Sequence, residues 1–433
     1  MKFCIISHAH PDFSKGGGEI AAYRQFLTQR RRGDAVTIVA ASPLLTDQPS
    51  GSNALIVEAN PGEYVFSYQG MHPDYLAWQD SAARDRLVSF LAGLDADVYH
   101  FHHYWRIGVD LIDALLDMKP QARLFLTLHE MLAICANHGQ MIRPVGSELC
   151  DRATPLRCLA CFPSSNLSQI VARKALILHV IRRMARVIYP SNFIRGRYEA
   201  WGVPARIGVV LENYLGEEAW SFDRRRRLED DPAGLERSFA FFGQATEFKG
   251  IDTLIDAFAL ALHARDDLTL TFYGPREEDV VRLFPRLAKT IESQRTRIFF
   301  AGRYGANEVF DLMQSAGWIV VPSIWWENSP VVIQEAKRAN VPLIVSNIGG
   351  MAEKVVNGVD GLHFRRGSAV DLASTILMAA TPELHRRVSH AQADSVSEGE
   401  FLDGLDAAYG LGSEPQSDTQ LELEGGACVA CAS

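Results

Sequence analysis

Glu327 and Glu335 have seven residues between them in the stretch WIVVPSIWWENSPVVIQE, which runs from Trp318 to Glu335. Two carboxylates at that spacing could work as an acid–base pair. They could also accept hydrogen bonds from hydroxyls at two ends of one polyhydroxylated ligand. The flanking residues say how they would be held. Ile319, Val320 and Val321 form an apolar β-branched run that stops at Pro322 and Ser323, as a buried strand would. A loop then carries Trp325, Trp326 and Glu327. Asn328 and Ser329 can cap a helix, and Pro330 suits a first helical position. Glu335 falls in the second turn of that helix. In an open α/β sheet, ligands bind beyond the C-terminal ends of strands, which is where this loop lies.

The other candidates in this half of the chain occupy equivalent positions. Phe239–Gly243 reads as a strand, with Gln244 next, then Lys249 and Gly250 before a helix from Ile251 to His263. Leu268–Tyr273 ends in Gly274, and Arg297–Ala301 ends in Gly302 and Arg303. Val341–Ser346 is followed by Asn347, Gly349 and Gly350. A single basic helix is expected between Gly274 and Arg297. Strands alternating with helices predict a parallel sheet. Lys249, Gly274, Arg303, Glu327, Gly349 and Gly350 would then line one crevice along one sheet edge. Lys249 supplies a point positive charge. Free N–H groups at Gly349 and Gly350 can hold phosphate oxygens without a metal. Glu335 can take two hydrogen bonds from a vicinal diol such as a ribose, and Glu327 can bind sugar hydroxyls. The two tryptophans offer flat faces to a sugar or base, or pack in the core.

The first half of the chain repeats the alternation. Strands are expected at Lys2–Ser7, Ala35–Ala40, Ala54–Glu58, Asp97–His103, Arg123–His129, Val187–Pro190 and Ile207–Leu211. Gly16, Gly17 and Gly18 open the first helix. Their spacing matches neither a dinucleotide fingerprint nor an NTPase phosphate loop, yet a glycine turn there lets backbone approach an anion or a sugar. His100, His102, His103 and His129 end two strands. Each is either a satisfied structural group or a polar group facing the cleft, and His129 and His102 are the functional candidates. Cys135, Cys150, Cys158 and Cys161 could complete a tetrathiolate structural zinc site, or stand as separate buried thiols or a redox pair. Ile170–Val187 reads as a helix with an apolar stripe and a basic face. It either packs on the core or makes a peripheral membrane contact.

At 433 residues with 47% hydrophobic and 22% charged residues, the chain has room for two ordinary globular domains. A net charge of −9 argues against a nucleic-acid partner. No apolar run reaches membrane-span length, and the start has no signal-peptide pattern, so a cytoplasmic location is expected. The division read from composition is 1–214, a linker at 215–238 with a solvated arginine run, 239–390, C-terminal helices to 411, and a disordered tail at 412–433 carrying Cys428 and Cys431. The C-terminal helices are expected to return to the first domain.

Several of these stretches together resemble one family. ENSPVVIQE resembles the E-x7-E element of retaining glycosyltransferases with the GT-B fold, family 4 (glycosyl transferases group 1). SNIGGMAE resembles the family's following GG-x-x-E loop, and FFGQATEFKGIDTLIDAF its donor-domain opening. KGGGE, VYHFHH, TLHE and YPSNFIR resemble its acceptor-domain landmarks. The resemblance implies two Rossmann-like, doubly wound parallel-sheet domains facing across a cleft. It also implies transfer of a hexose-type sugar, with retention, from a UDP- or GDP-sugar to a glycan or lipid-linked acceptor, with no catalytic cofactor. Glu327, His129 and Lys249 would be catalytic, with His129 near the reacting sugar. Glu335, Gly349, Gly350, Gln244, Arg303, Gly274, Asn328 and Ser329 would surround the donor, and Gly16, Gly17, Gly18 and His102 the acceptor side. Gln244 replaces the family's usual arginine, which removes a fixed cation beside the leaving diphosphate; Arg303 is the candidate substitute. The rival readings are an epimerase or phosphorylase on the same fold, and a non-catalytic sugar-nucleotide-binding protein.

Overall fold

The computed structural model describes residues 1–14, 16–42, 56–67, 70–72, 74–144, 146, 148–216, 234–305, 307–390 and 396–411. The arginine run at 224–227, most of the proposed linker, Lys15, and the tail with Cys428 and Cys431 lie outside them. Among the described residues two large sheets, beside the short pair Met71–His72 and Ala77–Trp78, carry the fold, and their central strands are β-branched and aromatic runs buried on both faces. The first has eight strands in the spatial order Gly208–Val210, Arg186–Tyr189, Arg123–Thr127, Val98–Phe101, Lys2–Ser7, Ala35–Ser42, Glu63–Ser67 and Ile56–Asn60. All pairs are parallel except the last, where Ile56–Asn60 returns antiparallel on the edge. The second has six parallel strands in the order Ile298–Gly302, Thr269–Tyr273, Ser238–Phe242, Trp318–Val321, Leu343–Ser346 and Gly361–Phe364.

In the second sheet the chain runs outward from Ser238–Phe242 to one edge, then returns to its other side at Trp318–Val321. The topological switch point therefore lies between these two strands, where loops diverge and leave a crevice. In the first sheet the switch falls between Lys2–Ser7 and Val98–Phe101. Both switch points are ringed by residues that follow strand ends.

Four elements differ from the sequence expectation. The helix after Glu327 begins at Val331 with Pro330 as its N-cap, and neither Asn328 nor Ser329 caps it. The edge hairpin gains Glu63–Ser67, whose turn at Pro61–Gly62 is a hairpin signal in hindsight. The expected basic helix after Gly274 is broken into Glu277–Leu283 and Ala288–Ser293, because Pro285 cannot donate within a helix. The helix expected at Ile170–Val187 is Leu167–Arg182; Arg186–Tyr189 is drawn into the sheet. That helix buries Ile177, Leu178, Val180 and Ile181 against the first core and leaves Leu167 and Val171 exposed.

The helix Glu398–Tyr409 packs on the first sheet. Phe401, Leu405 and Tyr409 join Phe3, Val98 and Phe125 in one buried cluster. Arg31 pairs with Glu398 and Arg32 with Asp406 at its rim.

Candidate active site at the interdomain cleft

Lys249 and Glu327 come from the two loops that leave the second sheet's switch point. Their charged groups meet at 2.6 Å. Glu327 Oε1 also accepts from Ser323 Oγ at 2.9 Å and from Trp325 Nε1 at 2.8 Å. Burial works against ionisation of this carboxyl, but Lys249, Ser323 and Trp325 outweigh it and hold the group below its usual range. All three donors use one oxygen. Oε2 accepts no hydrogen bond among the described residues, so an ionised acceptor remains for a ligand.

Close backbone contact sets the loop's shape. Gly250 has φ +66°, and a β-carbon there would lie 2.0 Å from the Pro322 carbonyl oxygen. A β-carbon on Gly350 would fall 1.4 Å from the Asn328 carbonyl oxygen. The Gly350 N–H is not free for an anion as expected, because it donates to the Glu327 carbonyl at 2.8 Å. The glycine pair thus clamps the Glu327–Asn328 backbone and leaves the Gly349 N–H without a described acceptor.

Glu335 lies one helix turn deeper, on Val331–Arg338. Burial pushes its carboxyl up to about 7 against the pull of Arg24, which comes from the other domain. The carboxylate accepts no hydrogen bond among the described residues. Tyr304 feels its charge from the neighbouring loop. Gly274 packs its backbone on Gly243, and Gln244 is exposed beside it. Arg303 follows the edge strand, two strands from the switch point, and makes no described contact with the Lys249–Glu327 pair.

Across the cleft the first domain presents histidines. His129 Nε2 meets His102 Nδ1 at 3.2 Å, and His102 Nε2 meets Gln25 Oε1 at 2.9 Å. The amide oxygen only accepts, so His102 Nε2 carries a proton and its Nδ1 is a lone pair. His129 must then donate from Nε2. Burial, with His103, His8 and His100 adding to it, pushes His129 down to about 3. It is therefore neutral, with a lone pair at Nδ1. His100 is also held near 3 by burial and bonds Thr127 and Tyr409.

Glu19 and His8 stand at 3.4 Å beside this group. Burial opposes the Glu19 charge, yet His8 and Ser14 hold its carboxyl down at about 2. The space a β-carbon would need at Gly18 is bounded by the His129 and His8 rings, each 3.3 Å away, while Gly17 faces Val331 of the second domain. Gly16 is the N-cap of the first helix. Glu19, His8, His10 and Gln25 were not singled out from sequence. His8 and His10 carry the same signal as the others, a polar group just past a strand end, whereas Gln25 lies inside a helix and gives none.

The two halves are joined next to these groups. Asn328 donates to the His129 carbonyl at 3.0 Å and accepts from Ser191 at 2.6 Å. Ser329 and Gln334 both reach Glu212, which also pairs with Lys354. The Glu353 carboxylate accepts from the Asn192 and Phe193 N–H groups and so caps a helix of the other domain. The structure thus brings Glu327, Lys249, Glu335, Gly349, Gly350, Asn328, Ser329, His129 and Gly16 to Gly18 to the region where the two domains meet, buries His102 behind His129, and leaves Arg303 at the sheet edge.

The four clustered cysteines are a separate matter. They are free thiols around a shared cavity, and among the described residues no three His, Cys, Asp or Glu side chains are arranged to hold a metal ion. The expected ligand set is therefore gathered but not assembled.

Two family models match the chain, one on each half. Glycosyltransferase Family 4 matches residues 15–211 and Glycosyl transferases group 1 matches residues 236–381. A glycogen synthase from Mycobacterium tuberculosis is 29% identical over 169 residues, which are 39% of this chain and 38% of that protein. The match thus spans well under two thirds of that relative. A D-inositol 3-phosphate glycosyltransferase from Rhodococcus jostii is 25% identical over 80% of this chain and 73% of its own. Among solved structures, Anabaena Alr3699/HepE in complex with UDP superposes with a TM-score of 0.61 at 16% identity, covering 94% of this chain and 100% of that one. With one model on each sheet and the neighbour's fold spanning both, the chain belongs to the family 4, group 1 glycosyltransferases and has their GT-B architecture.

Proposed function

We propose that the protein is a retaining glycosyltransferase that needs no metal for catalysis. It would move a hexose-type sugar from a UDP- or GDP-sugar to a hydroxyl of a glycan or lipid-linked acceptor, in cell-surface polysaccharide or glycoconjugate synthesis. The observation that carries this reading is the Lys249–Glu327 pair at one switch point, facing neutral His129 of the other domain across the cleft. The relatives' names support glycosyl transfer, and the UDP bound to the Anabaena protein supports a nucleotide-sugar donor.

Each residue has a part that its environment supports. Glu335, enclosed and without a hydrogen-bond donor of its own, suits a ribose diol. Lys249 would exchange Glu327 for the diphosphate and stabilise its charge as the glycosidic bond breaks. Glu327 Oε2 would take hydroxyls of the transferred sugar, and the His129 Nδ1 lone pair would accept another. Glu327 is already committed to three donors, which favours a binding role over that of a covalent nucleophile. The departing diphosphate would then accept the acceptor's proton as the new bond forms on the same face, so configuration is kept.

Among the described residues no helix is long and apolar enough to cross a membrane. A cytoplasmic enzyme docking peripherally on the inner membrane face would use the exposed Leu167 and Val171 beside Lys174. Exposed Gln244 favours one alternative, a protein that binds a sugar nucleotide without turning it over. A thermal-shift screen of nucleotide sugars, followed by NMR of the anomeric proton after incubation with acceptors, separates the readings. A stabilising donor and a product of unchanged configuration are expected. Inverted product refutes the mechanism, and binding without transfer across a broad acceptor panel supports the alternative.

A further inference from the structure

Cys135, Cys150, Cys158 and Cys161 line one cavity of about 20 Å³, room for a single water-sized body. Three short pieces of backbone bring them there. Cys135 closes a turn whose N–H bonds Met131, and Gly139 bonds back to it. The chain then doubles over, with Ile142 opposite Leu149, and the Cys150 N–H bonds the Met141 carbonyl. Cys158 and Cys161 lie three residues apart on the helix Pro155–Cys161, hence on one face. Ile134, Met141, Ile142, Pro144, Ala153 and Phe162 make the rest of the wall mostly apolar, with Asn137, Arg143 and Arg157 also lining it.

The charges around the cavity are a second, independent observation. Arg173 is 7% exposed, and its Nε has no hydrogen-bond partner among the described residues. Its other nitrogens hold the Leu132 and Ala133 carbonyls beside Cys135. Arg173 acts electrostatically on both Cys135 and Cys158, and Arg197 acts on Cys150. Asp74 acts on Arg173 from the neighbouring cavity, while protonated thiols add no negative charge on the cysteine side.

We propose that Cys135, Cys150, Cys158 and Cys161 bind one thiophilic divalent cation of the zinc class, and that the loaded centre anchors the Cys150–Asp151 ledge beneath Trp326. Four thiols lose four protons to the solvent and four S–metal bonds form, giving a centre of net charge −2. Arg173 and Arg197 then face an anion. The sulfurs would close in on the cavity they already share, which accounts for a set that is gathered but not yet at ligating distance. Thiolate, not thiol, is the metal ligand, so loading must expel protons. Four sulfur ligands leave no open position, so the role is structural.

The ledge leads to the active site. The Cys150 carbonyl accepts from Trp326 Nε1 at 3.1 Å, and Arg197 stacks over the Trp326 ring at 4.4 Å while bonding the Asp151 carbonyl. Trp326 immediately precedes Glu327. A rigid ledge would therefore hold the loop that presents Glu327 from the opposite domain.

The test uses the full chain produced with zinc in the medium. Metal analysis should find one equivalent per chain, kept in C428S/C431S and lost in C158S/C161S. Stripped wild-type protein should take up cobalt with the thiolate-to-metal absorption of a tetrathiolate centre and release protons on zinc addition. Failure of the stripped wild type to bind either metal overturns the proposal, whatever the folding of the serine variants. Metal kept by C158S/C161S, or lost from C428S/C431S, places the ion elsewhere and overturns it too. Hydrogen exchange over residues 324–328 should quicken on stripping, and unchanged exchange there overturns the coupling to Trp326.

Discussion

On the donor side of the cleft, Glu327 is ionised and held by Lys249, and Glu335 accepts no hydrogen bond among the described residues. On the other side, His129, His102, Gln25, His100, Thr127 and Tyr409 form a chain in which the groups that meet are matched donor to acceptor. The first arrangement has partners that a ligand can replace. The second is satisfied apart from the His129 Nδ1 lone pair and, with its histidines pushed far below neutrality, carries no charge to rearrange. A charged group that must exchange partners is best left in an incomplete pair, whereas a neutral group that must keep its tautomer is best placed in a closed network.

Breaking the donor side should have the largest effect. Lys249→Met removes the cation that would face the diphosphate, and kcat should fall about a hundred- to thousandfold. It also leaves Glu327 unpaired, so stability should drop with it. Lys249→Met/Glu327→Gln should regain the stability and none of the turnover. Recovery of turnover in the double variant would show that the pair is only a structural ion pair.

Breaking the network should cost less. His129→Ala removes a hydroxyl acceptor and leaves the His102 Nδ1 lone pair without its donor. A loss of about a hundredfold in kcat/KM is expected, with about 1–3 kcal/mol of stability. Because His129 titrates near 3, the wild-type pH profile should show no inflection from it between pH 5 and 8. Loss of a wild-type inflection in the Ala variant would contradict a closed, neutral network.

Glu335 sharpens the contrast, because its carboxyl is raised from 4.5 to about 7 in the folded protein. For a raised carboxyl, the favourable contribution belongs to the protonated form. It is complete below the unfolded value and lost as pH rises through 7. Glu335→Gln should therefore raise the melting temperature at pH 8, by up to about 3 kcal/mol in stability, and do little at pH 4. Donor binding needs the carboxylate, so wild-type affinity should be about tenfold weaker at pH 6 than at pH 8. The Gln variant should bind weakly at both. A variant that is stabilised at pH 8 and still binds the donor normally would remove Glu335 from the site.

The donor side was the more legible half in the sequence, and the same physics explains it. Lys249, Glu327 and Glu335 each follow or lie near the end of an apolar run, and strand ends converge at a switch point whatever the side-chain details. Gly350 was legible as a helix N-terminus, but not as a clamp whose N–H is already taken, since that depends on where the Glu327 carbonyl points. On the histidine side, His102 and His129 were visible by the same rule. Gln25 was not, because a glutamine within a helix gives no signal until its neighbours across the sheet are known. Glu212 was not singled out at all, and nothing local in the sequence links Glu353 to the Asn192 helix, because those contacts join residues more than a hundred positions apart.

Glu353 therefore offers the smallest test, and the one that bears on how the two sides are held together. Its carboxylate accepts from the Asn192 N–H at 2.8 Å and the Phe193 N–H at 2.6 Å, the first two of the helix Asn192–Trp201. Ser191, the N-cap of that helix, accepts from Ile194 and donates to Asn328, so one helix terminus is tied to the donor loop twice. A carboxylate at a helix N-terminus is also favoured by the helix dipole. Glu353→Ala should cost about 1 kcal/mol of stability, and Glu353→Gln should restore part of it through one oxygen. Because the cap lies between domains, the loss should grow weaker as salt rises, and donor affinity should fall by a few-fold with no change in pH profile. If stability falls while donor affinity stays put, Glu353 only caps a helix and the alignment of the two sides rests on Asn328 and Ser191.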